Sequence, residues 1–277
     1  MPELPEVESL RQMLMHSVVG RTFRNAHIKE ARLRRSVTPE LASTITGRTI
    51  ERIGRRAKYL LIELAGDQVV LVHLGMSGSL THRGHGFDPG PFDPRHDHIE
   101  FALDDGSVLV YNDPRRFGLI KIVARAELNN IAELKDLGPE PLGRQFDADY
   151  LWKATRGRTA AIKNLLMDQR IIAGIGNIYA SEILFRARVR PTRRAGRVTR
   201  DEVRRIVAAT KEVLREAIGS RGTTFRSYRD SRGQPGRFAQ RLRVYDREGQ
   251  PCLECDTPIR GIVLGQRSSY YCPKCQK

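Results

Sequence analysis

The sequence predicts a multidomain α+β protein, and three observations predict it. An opening segment carries apolar residues at helical spacing. Residues 22–123 hold short β-type runs broken by turn signals. Past a proline-rich connection at 137–141 the apolar spacing becomes helical, and all four cysteines gather at the end as two C-x-x-C pairs.

The first element is a helix. Pro5 suits a first helical position, Glu6 and Glu8 suit a helix N-terminus, and Val7, Leu10 and Leu14 form a stripe at i, i+3, i+7. The same stretch has a chemical reading. A methionine before proline is normally removed, which would leave Pro2 with a terminal secondary amine. Attack by such an amine on a sugar C1′ yields a charged iminium that cannot relax to a neutral imine, an electron sink suited to eliminations. Glu3 and Glu6 are then the adjacent candidate proton donor and acceptor.

Residues 22–123 read as β. Strands are expected at 58–64 and 68–74, joined at Ala65-Gly66-Asp67, and at 99–103 and 107–112, flanking Asp104-Asp105-Gly106. Short strands at this spacing suggest a sandwich or a barrel. Residues 82–95, rich in Gly and Pro, read as a surface loop. Lys58 stands at the mouth of an apolar strand, where it is a proton shuttle, a phosphate ligand or a surface charge. His96-x-His98 puts two imidazoles on one face of an extended segment, for phosphate more readily than for metal. In Asp113-Pro114-Arg115-Arg116-Phe117-Gly118, two arginines beside an aromatic suit insertion into DNA, with Phe117 as wedge or as loop anchor. Met76, in Leu74-Gly75-Met76-Ser77-Gly78, is a core filler or a second wedge.

The helical part begins with Ala161, Ile162, Leu165 and Leu166 on one face. Gly174-Ile175-Gly176 leads to Asn177, expected to N-cap a helix from Ile178, a turn whose amides could also hold phosphate with Lys163 nearby. Thr199-x-x-Glu202 is a capping box opening a helix that closes at Gly219. Residues 219–237, basic and without periodicity, read as a loop. Cys252-x-x-Cys255 and Cys272-x-x-Cys275 match one four-thiolate structural zinc holding a hairpin of 260–264 and 268–271. Arg267 would project from its turn as an exposed cation.

Net charge bounds the partner. The 277 residues carry Lys+Arg 48 against Asp+Glu 32, a formal +16, which points to a polyanion and by default to nucleic acid. Apolar runs are too short to span a bilayer, no basic amphipathic helix dominates, and no signal-peptide pattern opens the chain. Paired cysteines of this kind suit metal binding in a reducing cytoplasm.

Taken together, the chain resembles the bacterial formamidopyrimidine-DNA glycosylase family over essentially its whole length. The resemblance rests on residues 1–8, Arg56-Ala57-Lys58-Tyr59-Leu60, His73-Leu74-Gly75-Met76-Ser77-Gly78, residues 113–118, Gly174-Ile175-Gly176-Asn177-Ile178-Tyr179-Ala180-Ser181-Glu182 and the cysteine tail. It implies an N-terminal catalytic β-sandwich at 1–136 and a helical helix–two-turn–helix DNA-binding domain at 137–238. A zinc finger follows at 239–277, with damaged double-stranded DNA in the cleft between domains. It further implies a monomeric, cytoplasmic, nucleoid-associated repair enzyme with one structural Zn2+ that removes oxidised purines and then cuts the strand. Pro2 would displace the base and form the Schiff base, Glu3 would protonate the opening sugar, and Glu6 would support the amine. Lys58 would act in base removal or β-elimination and Arg267 in δ-elimination. His73, Lys163 and Asn177 would grip the backbone around a flipped nucleotide, and His96 and Arg158 match further DNA contacts. Met76, Arg115 and Phe117 would fill the vacated space, with Arg115 reading the orphaned cytosine. One departure is Arg232, where many relatives carry an acidic residue in the loop 223–233 that closes over the flipped base.

Two other readings compete. A sister family removes oxidised pyrimidines by the same amine chemistry; Leu4, Met76 and Arg115 favour the purine enzyme. A zinc-dependent DNA-binding protein without catalysis would need neither Pro2, Glu3 nor Lys58.

Overall fold

The computed structural model describes residues 2–84, 92–223 and 236–277. Two compact units divide them: 1–135 with 218–239, and 136–217 with 240–277.

The first unit opens with α1 (Leu4–Val18), whose Val7, Leu10, Leu14 and Val18 enter the core as the spacing requires. Two four-stranded antiparallel sheets follow. One has the order β1 (Phe23–Ile28), β6 (Asp97–Leu103), β7 (Val108–Asn112), β5 (Ser79–Arg83). The other has the order β2 (Ile50–Arg56), β3 (Tyr59–Leu64), β4 (Gln68–His73), β8 (Leu119–Ala124). Side chains alternate across each strand. Leu60, Ile62 and Leu64 of β3 and Val70 and Val72 of β4 therefore meet Phe23, Ile99, Phe101, Leu109 and Tyr111 of the other sheet in one core. Two sheets sharing an interior make a sandwich, not a barrel. One element departs from the all-β expectation for 22–123: α2 (Glu40–Ile45) interrupts it and buries Leu41 and Ile45 in the same core. Six residues are too few to show a helical period from sequence.

The second unit contains α3 (Ala148–Thr155), α4 (Ile162–Met167), α5 (Asn177–Arg186) and most of α6 (Arg200–Gly219), followed by a hairpin of β9 (Arg260–Leu264) and β10 (Arg267–Tyr271). The α6 capping box forms as expected: the Glu202 carboxylate accepts from the Thr199 amide at 2.7 Å, and the Thr199 hydroxyl accepts from the Glu202 amide at 3.2 Å. Helix α5 corrects another expectation. Its N-cap is Gly176, and Asn177 is the first helical residue, because the Asn177 side chain is committed elsewhere. Glu182 on α5 is buried and accepts the amides of Arg243, Val244 and Tyr245 at 2.9–3.0 Å, fixing the chain that leads into the cysteine segment.

Candidate functional site

The N-terminal turn of the first unit is fastened by one carboxylate. Glu6, 1% exposed, accepts from the Glu3 amide at 2.7 Å with one oxygen and from the Thr223 amide at 2.7 Å with the other. The first bond is half of a capping box; the second ties α1 to Thr223. Pro2 and Glu3 are both buried here. Met1 and residues 224–235, including Arg232, lie outside the described residues.

Lys58, 6% exposed, sits in the two-residue turn between β2 and β3. Its neighbour Ala57 takes φ 52, a left-handed conformation disfavoured for a side chain with Cβ. Arg55 braces that turn, donating to the Ala57 carbonyl at 2.9 Å and to Glu8 of α1 at 2.9 Å. Burial opposes charge on Glu8, but Arg11 and Arg55 together hold its carboxyl below the ordinary range. From sequence Glu8 reads only as a residue suited to a helix N-terminus and Arg55 carries no role, because their contact spans residues far apart in the chain.

His73 ends β4, its ring against that of Tyr59 with centroids 4.8 Å apart. Nδ1 accepts the Gly75 amide at 3.0 Å, so the neutral ring carries its proton on Nε2. Burial first, then Lys58 and Arg34, push its pKa down to about 4 against the pull of Asp113. Beyond it, Met76 is 38% and Phe117 45% exposed at two loop tips, and the Arg115 guanidinium lies 4.6 Å from the Phe117 ring centroid. These large side chains stand out from a well-packed unit. His96 and His98 separate in role. His98 is buried, its Nε2 bonded to the Asp113 carbonyl at 2.8 Å, whereas His96 stays partly exposed, 4.0 Å from Asp93.

In the second unit Lys163 is fully buried. Nζ donates to Asn177 Oδ1 at 2.7 Å, Ser269 Oγ at 2.5 Å and the Ser268 carbonyl at 3.1 Å, while Asn177 Nδ2 also donates to that carbonyl at 3.0 Å. Lys163 and Asn177 therefore join α4 and α5 to the strand that starts at Arg267. Arg267 is exposed, following a turn in which Gly265 (φ 54) and Gln266 (φ 61) are both left-handed, the geometry of a tight hairpin. Arg158 is exposed on the loop after α3.

The four cysteine sulfurs lie within 4.8 Å of one another, with Cys252–Cys275 at 3.9 Å, Cys255–Cys272 at 3.5 Å and Cys255–Cys275 at 3.4 Å. Thiolates about 2.3 Å from a tetrahedral zinc stand about 3.8 Å apart, so the set fits one structural Zn2+. Cys252 and Cys272 are buried against Phe185, Val244 and Ile259, which leaves no open coordination face on that side. Among the described residues, no helix is long and apolar enough to cross a membrane.

Comparison with known proteins gives a consistent answer along the chain. Residues 1–120 match the formamidopyrimidine-DNA glycosylase N-terminal domain, 137–229 the formamidopyrimidine-DNA glycosylase H2TH domain, and 249–277 the zinc finger found in FPG and IleRS. The formamidopyrimidine-DNA glycosylase of Thioalkalivibrio sulfidiphilus is 49% identical with full coverage of both chains, and that of Stenotrophomonas maltophilia 45%, again over both full lengths. The crystal structure of the MutM (Fpg) protein from Thermus thermophilus matches with TM-score 0.88 at 39% identity, covering 99% of this chain and 98% of that one. The complex between Lactococcus lactis Fpg and an abasic site containing DNA matches with TM-score 0.90 at 30% identity, covering 99% of each.

Proposed function

The chain belongs to the formamidopyrimidine-DNA glycosylase family, and from that membership we propose that it excises oxidised purines from double-stranded DNA and then cuts the strand. The observation that carries this reading is the N-terminal turn, where Pro2 and Glu3 are buried and Glu6 fastens the backbone between them and α1. A nucleophile must be held at a fixed place, and a buried, doubly bonded carboxylate does that.

Residues 1–136 form the catalytic part, 137–238 the helical DNA-binding part and 239–277 the zinc finger. The Pro2 nitrogen forms a bond to C1′ as the bond to the damaged base breaks, the base leaving with its electron pair. Glu3 protonates the ring oxygen as the sugar opens to the iminium, and the proton that the Pro2 nitrogen gives up passes to the departed base. That cation acidifies the neighbouring C–H bond, and Lys58 moves the proton in the elimination that releases the 3′ phosphate. Arg267 assists the second elimination, which releases the 5′ phosphate. His73, as a neutral ring, offers Nε2–H to a backbone phosphate. Lys163 and Asn177 hold the hairpin, and with it Arg267, against the backbone around the flipped nucleotide. His96 and Arg158 contact phosphates further out. Met76, Arg115 and Phe117 occupy the space the nucleotide leaves, with Arg115 facing the orphaned cytosine. The protein acts as a monomer in the bacterial cytoplasm, at the nucleoid through its DNA affinity. When bound, the zinc supplies rigidity to the hairpin rather than chemistry.

Borohydride trapping on an 8-oxoguanine:cytosine duplex, with intact mass of the protein before and after, tests the reading. An adduct at Pro2 on protein lacking Met1 is expected. Trapping on a thymine glycol duplex in preference would assign the chain to pyrimidine lesions instead, and no adduct on either would leave only DNA binding.

A further inference from the structure

We propose that Asp113 is a positioning residue that locks the Met76 loop and the Arg115–Phe117 loop into one piece, so that filling the vacated space and reading the opposite base act together. This rests on the reading of those three side chains given above.

Asp113 is fully buried. Its Oδ1 accepts the Ser77 hydroxyl at 2.6 Å and the Arg115 amide at 3.3 Å; its Oδ2 accepts the Gly118 amide at 2.9 Å and the Tyr111 hydroxyl at 3.1 Å. Ser77 closes the set, since its oxygen also accepts the Arg115 amide at 3.2 Å. One carboxylate therefore holds the residue next to Met76 and the amide of Arg115. It also holds both ends of the turn that presents Phe117. The main chain of Asp113 is held as well: its amide donates to the His96 carbonyl at 3.0 Å, and its carbonyl accepts from the Arg116 amide at 3.1 Å and from His98. Burial, and then the charge of Asp113, push the Tyr111 hydroxyl well above its ordinary pKa, which keeps it a donor.

Steric contact reinforces the lock. Gly75 has φ +64, and a Cβ there would lie 2.5 Å from the Phe117 carbonyl carbon and the Gly118 nitrogen. A Cβ at Gly118 would lie 1.6 Å from the Tyr111 oxygen. The two loops thus touch backbone to backbone, with no side chain between them to give way. The tips are exposed, while the frame beneath them is buried and hydrogen-bonded. A shift of either loop must break bonds to the same carboxylate, which is the condition for coupled behaviour.

The test compares excision of 8-oxoguanine opposite cytosine and opposite adenine by wild type, Asp113→Asn, Ser77→Ala, Tyr111→Phe and Arg115→Ala. Lyase activity on an abasic site in single-stranded DNA serves as the reference, because no opposite base is present there. Asp113→Asn and Ser77→Ala are expected to lower the cytosine-over-adenine ratio of kcat/KM by roughly tenfold. Single-strand lyase activity should stay within about twofold of wild type. Tyr111→Phe, which removes one bond and no charge, should fall between them and wild type; if Asp113→Asn does not accumulate folded, Ser77→Ala and Tyr111→Phe decide alone. An unchanged ratio in these variants while Arg115→Ala collapses it overturns the positioning role. An unchanged ratio in Arg115→Ala means that Arg115 does not read the opposite base, and the underlying reading fails first. Equal losses on duplex and single strand would reduce Asp113 to general structural support and also sink the proposal.

Discussion

His73 can be tested by titration, because its protonation state follows from its neighbours. A proton added at Nδ1 would break the bond from the Gly75 amide and set a further cation beside Lys58 and Arg34. The folded imidazole is accordingly pushed down to about 4, whereas the unfolded chain titrates near the ordinary 6.5. Between those values the unfolded state binds more protons, so stability present above about pH 6.5 is lost as pH falls toward 4 and levels off below it. At about pH 5 this amounts to about 2 kcal/mol, an upper figure for a ring with some solvent contact.

The perturbation is His73→Asn, whose Oδ1 can take over as acceptor for the Gly75 amide. The assay is a pair of urea denaturation series at about pH 7.5 and about pH 5, with an NMR titration of the His73 ring. Wild type should lose about 2 kcal/mol more than the variant on acidification. A His73 ring titrating near its ordinary value, or equal pH slopes in the two proteins, would refute the argument. If His73 contacts phosphate as proposed, it would do so as a neutral donor, and its share of DNA affinity should not rise on acidification down to about pH 5.

Four other outcomes are expected. Lys163→Met preserves volume but removes the lysine donor from Asn177 Oδ1 and Ser269 Oγ and one of the two donors from the Ser268 carbonyl, at a cost of about 1–3 kcal/mol in denaturant stability; an unshifted midpoint would show that the buried lysine ties nothing together. Elemental analysis should find one zinc per chain, and chelation should abolish duplex binding because the hairpin is too small to hold itself; metal-free protein that still binds DNA would contradict a structural metal. Lys58→Ala and Arg267→Ala should slow strand cutting by about tenfold or more while leaving folding nearly unchanged, and wild-type rates would remove both from the mechanism. Affinity for duplex should fall steeply with salt, about in proportion to the number of phosphates contacted; a flat titration would rule out the cationic contacts.

What the sequence made legible was local. The α1 stripe, the apolar runs of β3 and β4 either side of Ala65-Gly66-Asp67, the Thr199–Glu202 capping box and the cysteine pairs are each set by residues close together in the chain. So is the hairpin turn that exposes Arg267. Helix α2 was hidden because it is short and lies among strands. Asn177 was read as an N-cap because its type and place fit one. Its side chain instead meets Lys163 and the Ser268 carbonyl, and the latter is far away in sequence. Lys163 itself reads as a solvated or phosphate-facing charge; no pattern in a sequence marks a lysine whose partners come from other segments. Asp113 lies inside the 113–118 motif, but the arginines and phenylalanine there carry the obvious chemistry, and nothing local shows a carboxylate buried beneath them.

Asp113 and Lys163 belong to a wider set, and it bears on function. Glu6, Asp113, Lys163 and Glu182 are all buried ionisable groups holding backbone or polar atoms of distant segments. Buried charge is weak support for stability, since desolvation offsets most of what its bonds contribute and apolar residues of similar volume often serve better. A carboxylate or ammonium kept in such a place is better explained by what it positions. In three of the four cases the object held is the base of an exposed or reactive group: the Pro2–Glu3 turn, the Met76 and Phe117 tips, and the strand that begins at Arg267. A protein that only bound DNA could rely on surface cations with loose geometry, because phosphate contacts tolerate it. Rigid placement beneath these particular groups is what a reaction at one sugar carbon requires.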